Sequence, residues 1–319
     1  MKFIVRFLDK HFPFMTPTFL TIGLLAGAYA GQFVGIVPFL FAIATFLSSL
    51  KIDLGTFVET VKKPKGILVV LFILRIIMPL VALIVGIIIF PNDVYTQTGL
   101  LLFALLPVAI NSIIWTVISK GNIALSLSVL FIDTLMIPLI LPLSVLFFTG
   151  ESIEFDTWGL MRSLLFMVVI PSLLGMFVNQ ATKGEFTKKW NPHLTPIAKI
   201  FMLIVIFING GNIRRHFPPI NGRLLLIMFS ISLLCVAGYL ISWYIASKFK
   251  FDDQDVKAIV FTGGMRNMST GLVIAVAHFP PAAAIPIVSG IFFQQMICAC
   301  IAKLIEIHYD KKEKINQKK

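Results

Sequence analysis

Two short stretches, Pro107-Val-Ala-Ile-Asn-Ser112 and Thr262-Gly-Gly-Met-Arg-Asn267, each interrupt a long apolar segment near its middle. They lie at equivalent places in the two halves of the chain. A helix broken at bilayer depth has unpaired backbone groups, which is tolerated only where the break lines a protein-walled cavity. A matched pair of breaks, one per half, is the best sequence indication of the substrate site of a secondary transporter.

The rest of the sequence has the composition of a membrane protein. Of its 319 residues, 58% are hydrophobic and 13% are charged, and the mean hydropathy is +0.94. Soluble domains carry about 25% charged residues. Apolar runs close to the ~20 residues that cross a bilayer follow one another with short polar joints. The sequence therefore predicts an all-α polytopic protein in a lipid bilayer.

We predict ten transmembrane helices, preceded by a short interfacial helix over Met1–Phe14. The ten spans cover roughly 14–32, 35–50, 66–90, 96–119, 122–149, 157–179, 193–213, 223–247, 254–278 and 283–307. They divide into five plus five, and an odd number per half gives the second half the opposite orientation. The predicted organisation is one domain over 1–319, with inverted repeats at 1–152 and 153–310 and a basic tail at 311–319.

The net charge of +12 comes from positive residues that are distributed as in a membrane protein and are not gathered in a nucleic-acid-binding patch. Lysines recur in alternate loops and in the tail, including Lys62 and Lys63, whereas Glu151 and Glu154 mark an opposite loop. This bias predicts a plasma-membrane protein with both termini in the cytoplasm. Three arginines on the opposite side do not follow this charge bias: Arg214, Arg215 and Arg223. They are either a tolerated exception or a basic loop that attracts anions.

Three charged side chains fall deep within predicted spans: Arg75, Asp133 and Arg266. An ionised group at such depth costs at least about 2.5 kcal/mol, so it is expected to face a cavity or a partner. Asp133 paired with one arginine leaves about one positive charge, which an anionic substrate would balance. A structural ion pair between spans, with Arg75 extended along its helix, is the alternative.

Polar side chains converge on the two breaks. We expect Asn111, Ser112, Arg266, Asn267, Gln294 and Gln295 to bind substrate. Asp133, Arg75, Ser126 and Thr262 are candidates for ion coupling or counter-charge. The segment Ile208-Asn-Gly-Gly-Asn212 is either a further lining or a flexible helix end. Sequence signatures of zinc proteases, serine hydrolases and P-loop enzymes are absent, so no enzyme activity, cofactor or metal centre is expected.

These residues resemble the bile acid:sodium symporter family over nearly all ten spans. The resemblance is strongest from Leu106 through Lys120-Gly-Asn-Ile-Ala-Leu-Ser126 and from Gly264-Met-Arg-Asn267 through Phe279. It implies a core of spans 3–5 and 8–10 and a panel of spans 1, 2, 6 and 7, with broken spans 4 and 9 crossing at the site. It also implies alternating-access transport of organic anions, usually driven by two sodium ions.

The sodium ligands implied by the resemblance are only partly present. Ser112, Ser126 and Asn267 match the family pattern. The other implied ligand positions hold Leu74, Ile113, Leu130, Thr262 and Arg266, where the family pattern has Gln, Asn, Thr, Glu and Gln. Loss of the carboxylate and gain of a guanidinium are difficult to reconcile with cation binding. We therefore expect Arg266 to replace a sodium ion, with Asp133 as its counter-charge.

The expected function is transport of a small organic anion, bile-acid-like or a carboxylate, with proton-coupled or uncoupled movement in place of sodium symport. A metalloid or other efflux carrier of the same superfamily is the alternative within transport. A non-transporting receptor on the same fold is the alternative from another class.

Overall fold

The computed structural model describes residues 2–51, 64–149 and 155–316, and the side chains of these residues except 2–11, 13, 191–192 and 312–316. Its helices are α1 (Lys2–Ala26), α2 (Ala28–Gly31), α3 (Val37–Ser49), α4 (Lys65–Ile89), α5 (Val94–Leu105), α6 (Asn111–Ile118), α7 (Ile123–Thr149), α8 (Thr157–Ala181), α9 (Glu185–Ile213), α10 (Gly222–Lys248), α11 (Asp253–Gly264), α12 (Met268–His278) and α13 (Pro281–Asn316). Lys62, Lys63, Glu151 and Glu154, which entered the topology prediction, lie outside the described residues.

The described residues include six helices that are long and apolar enough to cross a membrane. They are Lys65–Ile89, Ile123–Thr149, Thr157–Ala181, His193–His216, Gly222–Lys248 and Pro281–Lys311. Shorter apolar helices cover Phe14–Ala26, Val34–Ser49, Val94–Leu105 and Met268–His278. Two of these shorter helices belong to the predicted broken spans. The prediction of an all-helical polytopic membrane protein is therefore confirmed.

The first helix differs from the prediction of a separate interfacial helix over 1–14. Residues Lys2 to Ala26 form one continuous helix, which ends at Gly27 with φ of 54°. Glycine adopts this left-handed conformation without the steric cost of a Cβ, so the chain changes direction there. At the other terminus, α13 continues to Asn316, and most of the predicted tail is therefore helical.

The helices pack as two groups. Helices α1, α2, α3, α8 and α9 contact one another, and we call this group the panel. Helices α4–α7 and α10–α13 form the second group, the core. These groups contain the spans that the family resemblance assigned to each. The panel meets the core mainly where α9 packs on α12 and α8 packs on α7.

Glycines allow the panel helices α1 and α9 to approach closely. A Cβ on Gly211 would lie 2.6 Å from the carbonyl oxygen of Gly27 and 2.5 Å from the Cβ of Ala30. Close backbone approach at small residues is the usual way in which membrane helices associate. The segment at 208–212 therefore takes part in a close helix–helix contact.

A polar contact outside the membrane-spanning segments fixes the start of α5. The Asp93 carboxylate accepts hydrogen bonds from the Thr96 amide at 3.1 Å and the Thr96 hydroxyl at 2.6 Å, and it pairs with Arg223. Burial raises the pKa of Asp93, but the bonds from Thr96 and the charge of Arg223 outweigh it, so the pKa lies below its usual value. One of the three arginines that disobey the charge bias therefore has a structural role.

Candidate anion site at the helix crossing

The two helix breaks lie against each other and satisfy one another's backbone groups. Val108 and Arg266 form an isolated antiparallel bridge. The Ala109 amide donates to the Met265 carbonyl at 3.1 Å, and the Asn267 amide donates to the Pro107 carbonyl at 2.8 Å. Buried backbone groups need such partners, because apolar surroundings offer none. The four half-helices α5, α6, α11 and α12 thus meet at one crossing.

Local sequence explains why both helices break here. Pro107 has no backbone donor and disfavours a helical conformation at the residue before it; Leu106 is extended, with ψ of 148°. In the second break Gly264 lies against α10, where a Cβ would overlap the ring of Tyr239. Asn267 then begins α12, its side-chain oxygen accepting from the Thr270 amide at 3.2 Å.

Arg266 lies at the centre of the crossing with a side chain that is only 1% exposed. Its Nε donates to the Ala104 carbonyl at 3.1 Å, and its Nη1 donates to the Gly263 carbonyl at 2.9 Å. These carbonyls belong to the last turns of α5 and α11, where the helix dipole favours a positive charge. Its Nη2 is buried and has no hydrogen-bond partner among the described residues.

Gln294 holds the backbone of Arg266 from both sides. The Arg266 amide donates to Gln294 Oε1 at 2.9 Å, and Gln294 Nε2 donates to the Arg266 carbonyl at 2.7 Å. Gln294 was predicted to bind substrate, but its side-chain amide instead positions the break. Its neighbour Gln295 lines the cavity described below, and its Oε1 is buried without a partner in the described part of the chain.

Arg75 also caps α5, one of the two half-helices that Arg266 binds. Its Nη1 donates to the Leu105 carbonyl at 2.6 Å, and its Nη2 forms an ion pair with Asp133. The other carboxylate oxygen of Asp133 accepts from the Val108 amide at 2.8 Å. The direct ion-pair partner of Asp133 is therefore Arg75 rather than Arg266, and the aspartate is also bound to the first break.

The backbone around Arg75 has an irregular turn. Residues Ile73–Ile77 form a π turn within α4, and Pro79 follows four residues after Arg75. Because proline has no N–H, it cannot donate to the carbonyl of Arg75 as an α-helix requires. In the π turn the Met78 amide donates to the Ile73 carbonyl, and such turns are frequent at functional sites.

A cavity of about 410 Å³ lies between the panel and the core, with the crossing in its wall. The predicted residues Asn111, Arg266, Asn267, Gln294 and Gln295 line it. The volume is within the range of small-molecule sites, roughly 300–1,000 Å³. The first residues of α6 and α12 line the cavity, so the positive ends of two half-helices face it.

Other predicted residues lie behind the cavity wall. Ser112, Ser126 and Thr262 are fully buried and are not among the described residues that line the cavity. The Thr262 hydroxyl donates to the Ala258 carbonyl at 2.7 Å, and the Ser126 hydroxyl lies 3.0 Å from that of Thr116. The Ser112 hydroxyl has no partner within the described part of the chain.

Sequence reasoning missed Lys199. This residue lies inside the predicted span 193–213, is half-buried, and lines the cavity together with Lys51. Its Nζ lies 5.3 Å from the centroid of the Phe12 ring. The signal was present in the sequence as a lysine six residues into a span. It is ambiguous there, because a lysine near a span end ordinarily extends to the interface.

Comparison with known proteins agrees with this architecture. The sequence profile of the Sodium Bile acid symporter family matches residues 37–214, more than half of the chain. The uncharacterized protein YbaS of Bacillus subtilis is 37% identical over 293 residues, which cover 92% of this chain and 96% of YbaS. This protein belongs to the sodium bile acid symporter family. It is therefore a multi-pass membrane transporter and not an enzyme.

Two further relatives carry transporter names. The B. subtilis protein named "Uncharacterized sodium-dependent transporter YocS" is 31% identical over 255 residues, covering 78% of this chain and 76% of YocS. The Arabidopsis thaliana protein named "Probable sodium/metabolite cotransporter BASS1, chloroplastic" is 30% identical over 189 residues, covering 59% of this chain and 46% of its own length. These names support a small-molecule transporter of this family.

Proposed function

We propose that this family member carries small organic anions by alternating access and does so without sodium. The observation that carries the proposal is the position of Arg266. Its guanidinium binds the C-terminal carbonyls of two half-helices, Arg266 is among the residues that line the cavity, and its buried Nη2 has no partner among the described residues. A planar guanidinium with a remaining donor is well suited to a carboxylate.

The residues of the crossing do not fit a sodium ion. A hard cation needs several oxygen ligands, and carbonyls at a helix end are suitable ones. Here the Ala104 and Gly263 carbonyls accept from Arg266, and the Leu105 carbonyl accepts from Arg75. A fixed positive charge among these oxygens repels a mobile one. We infer that the two arginines supply permanently the charge that sodium would supply reversibly.

Charge balance favours an anion. Arg75 and Arg266 carry two positive charges and Asp133 carries one negative charge, so these buried groups sum to one positive charge. The C-terminal ends of α5 and α11 offset part of this charge, and the positive ends of α6 and α12 add to it. An organic acid would place its carboxylate toward Arg266, Asn267 and Asn111, with an apolar body against Phe131 and Ile291. These residues are the proposed substrate site.

The wider mechanism follows from the predicted topology. We propose that the two halves are inverted repeats, that both termini lie in the cytoplasm, and that the protein acts in the plasma membrane. The cavity then opens toward the cytoplasm, because it reaches Lys51 after α3 and Phe12 in the N-terminal half of α1. Movement of the core against the panel would expose the crossing to the other side.

The direct test is binding of organic anions to the purified protein. We expect monocarboxylates to raise the thermal unfolding temperature equally in sodium and potassium buffers, because stabilisation depends on ligand concentration relative to affinity. Arg266→Gln, which restores the family residue, should weaken this binding by about tenfold or more. Arg266→Lys is the matched control, since it keeps the charge and loses the planar donor pair.

Transport is tested in proteoliposomes. Uptake of a bound carboxylate should persist without sodium, and an imposed proton gradient should distinguish proton coupling from uncoupled movement. Strict dependence of uptake on sodium would contradict the proposal, as would binding that Arg266→Gln leaves unchanged.

A further inference from the structure

A basic surface lies where the panel helices α8 and α9 meet. The turn between these helices and the first residues of α9 cover residues 182–190, and we call this segment the basic turn. The candidate membrane span of α8 ends at Ala181, and that of α9 begins at His193. The basic turn therefore lies just beyond the hydrocarbon, at the depth of the lipid headgroups, a layer of roughly 5–8 Å on each side of a bilayer.

One face of the basic turn is fixed to the rest of the panel. The Thr187 hydroxyl lies 2.8 Å from both the Leu50 carbonyl oxygen and Asn179 Oδ1. Phe186 packs against a small cluster of buried side chains that includes Leu47. These contacts join the start of α9 to α3 and α8, so the basic turn is held in one orientation.

The other face of the basic turn carries lysines. Lys183, Lys188 and Lys189 are exposed, and with Glu185 they give the segment a net charge of +2. No hydrogen bond or ion pair joins these three ammonium groups to another residue in the described part of the chain. The Lys189 Nζ lies 5.8 Å from the ring centroid of Trp190, which is 44% exposed. An exposed tryptophan is typical of the interface between membrane and water.

The backbone of Lys183 indicates that its side chain, rather than the geometry of the turn, accounts for a lysine here. Its φ is 49°, a left-handed conformation that is costly for a residue with a Cβ. Glycine or asparagine would form the same turn at lower cost. The ammonium of Lys183 either offsets the negative end of α8, which needs no lipid, or binds an anion outside the protein.

We propose that the basic turn binds the headgroups of anionic phospholipids and anchors the panel at one membrane surface. Three ammonium groups at headgroup depth, beside an exposed tryptophan, match a layer of phosphate groups in charge and in position. Each lysine near such a surface contributes about fivefold to lipid affinity. The proposal does not depend on the ligand of the cavity. An anchored panel gives the core a fixed surface against which to move.

The experiment compares anionic phosphatidylglycerol with zwitterionic phosphatidylcholine of the same acyl chains. Each lipid is added to the purified full-length protein in a neutral detergent, and binding is followed as a rise in unfolding temperature. The ratio of the lipid concentrations that give half of the rise measures the preference for the anionic lipid. Because both lipids are measured on the same variant, a change in its intrinsic stability does not enter this ratio.

We expect the wild-type protein to prefer phosphatidylglycerol. In the triple variant Lys183→Asn/Lys188→Gln/Lys189→Gln the preference should fall by about fivefold for each lysine removed. The triple variant Lys183→Arg/Lys188→Arg/Lys189→Arg keeps the charges and should keep the preference. Lys303→Gln is the control for a lysine elsewhere, because Lys303 is exposed and already paired with Glu306, and it should leave the ratio unchanged.

An unchanged ratio in the triple variant with Asn and Gln would overturn the proposal. So would a Lys183→Asn variant that is less stable in detergent alone and keeps the wild-type ratio, because Lys183 would then serve the end of α8. Glycerol phosphate, which carries the phosphate without acyl chains, should not raise the unfolding temperature. A rise equal to that with phosphatidylglycerol would indicate a site for soluble phosphate and would overturn the assignment to lipid.

Discussion

At the residue scale, two arginines organise the crossing by binding carbonyls at helix ends. Arg266 contacts the last turns of α5 and α11, and Arg75 contacts the last residue of α5. Burying two guanidinium groups is costly, and the cost is offset by carbonyl partners, by dipole ends of favourable sign and by one carboxylate. The arrangement requires all of these partners at once, so loss of any one leaves a buried charge unbalanced.

The ion pair of Arg75 and Asp133 tests this dependence. Asp133→Asn leaves Arg75 without its counter-charge in a site where the two side chains are 8% and 0% exposed. Breaking a buried pair from one side costs about 3–5 kcal/mol, so we expect a clearly lower unfolding temperature in detergent. The double variant Arg75→Gln/Asp133→Asn should recover much of the loss, because no uncompensated charge remains. A double variant as unstable as the single one would contradict a charge-balancing role.

At the element scale, the fold depends on positions where helices approach without side chains between them. In the core, Gly263 and Gly264 let the end of α11 pack against Ser242 and Tyr239 of α10. In the panel, Gly23 of α1 and Gly211 of α9 allow a similarly close approach between the first helices and α9. These contacts decide the distance between helices, and hence the position of the half-helix ends that form the site.

Gly211→Val is the corresponding prediction. The Cβ of the added side chain would lie 2.6 Å from the carbonyl oxygen of Gly27. This oxygen belongs to the backbone, so it cannot rotate away. We expect overpacking to destabilise the protein by about 1–3 kcal/mol or more, read as a lower unfolding temperature. Gly222→Ala is the control, because nothing lies within 4 Å of a Cβ there. Equal stability of Gly211→Val and Gly222→Ala would exclude close packing of α9 on Gly27 and α2.

At the scale of the whole molecule, a contact between the panel and the core lies away from the proposed cytoplasmic opening of the cavity. Gly175 of α8 packs on Phe46 and Ser49 near the end of α3, so the start of α8 lies at the opposite end of the panel. There Phe155, before α8, stacks on Phe279, after α12, with ring centroids 5.1 Å apart. This contact joins the panel to the core on the side away from the cavity mouth.

Cross-linking this contact should stop the transport cycle. In a Cys300→Ser background, where the remaining Cys235 and Cys298 are buried, Phe155→Cys/Phe279→Cys can be joined by a short thiol cross-linker. We expect the cross-linked protein to bind ligand from the open side and to lose transport, because the panel and core can no longer separate there. Transport should return after cleavage of the linker, and each single cysteine variant should stay active. Full transport by the cross-linked protein would show that this contact need not open.

The sequence predicted the broken helices, their meeting at a cavity and the presence of Arg266 there, because the prolines and glycines at these two places favour a break and an ionisable residue is rare and costly within an apolar span. It pointed to Arg266 as the partner of Asp133, whereas Arg75 forms the ion pair. All three charges lie in different helices, and only the crossing geometry decides which guanidinium comes within reach of the carboxylate. The position of Lys199 in the cavity wall was missed for the same reason, because a span position does not say whether a side chain faces lipid or a cavity.

The sequence by itself determined that this protein is a polytopic helical membrane transporter of its family, since hydropathy, charge distribution and the paired breaks are properties of the chain read in order. The tertiary structure alone decided how the breaks pair, which carbonyls the two arginines occupy and which polar side chains reach the cavity. These outcomes depend on contacts between segments far apart in sequence, such as Ala104 with Arg266, and on the close helix approaches that set their distances.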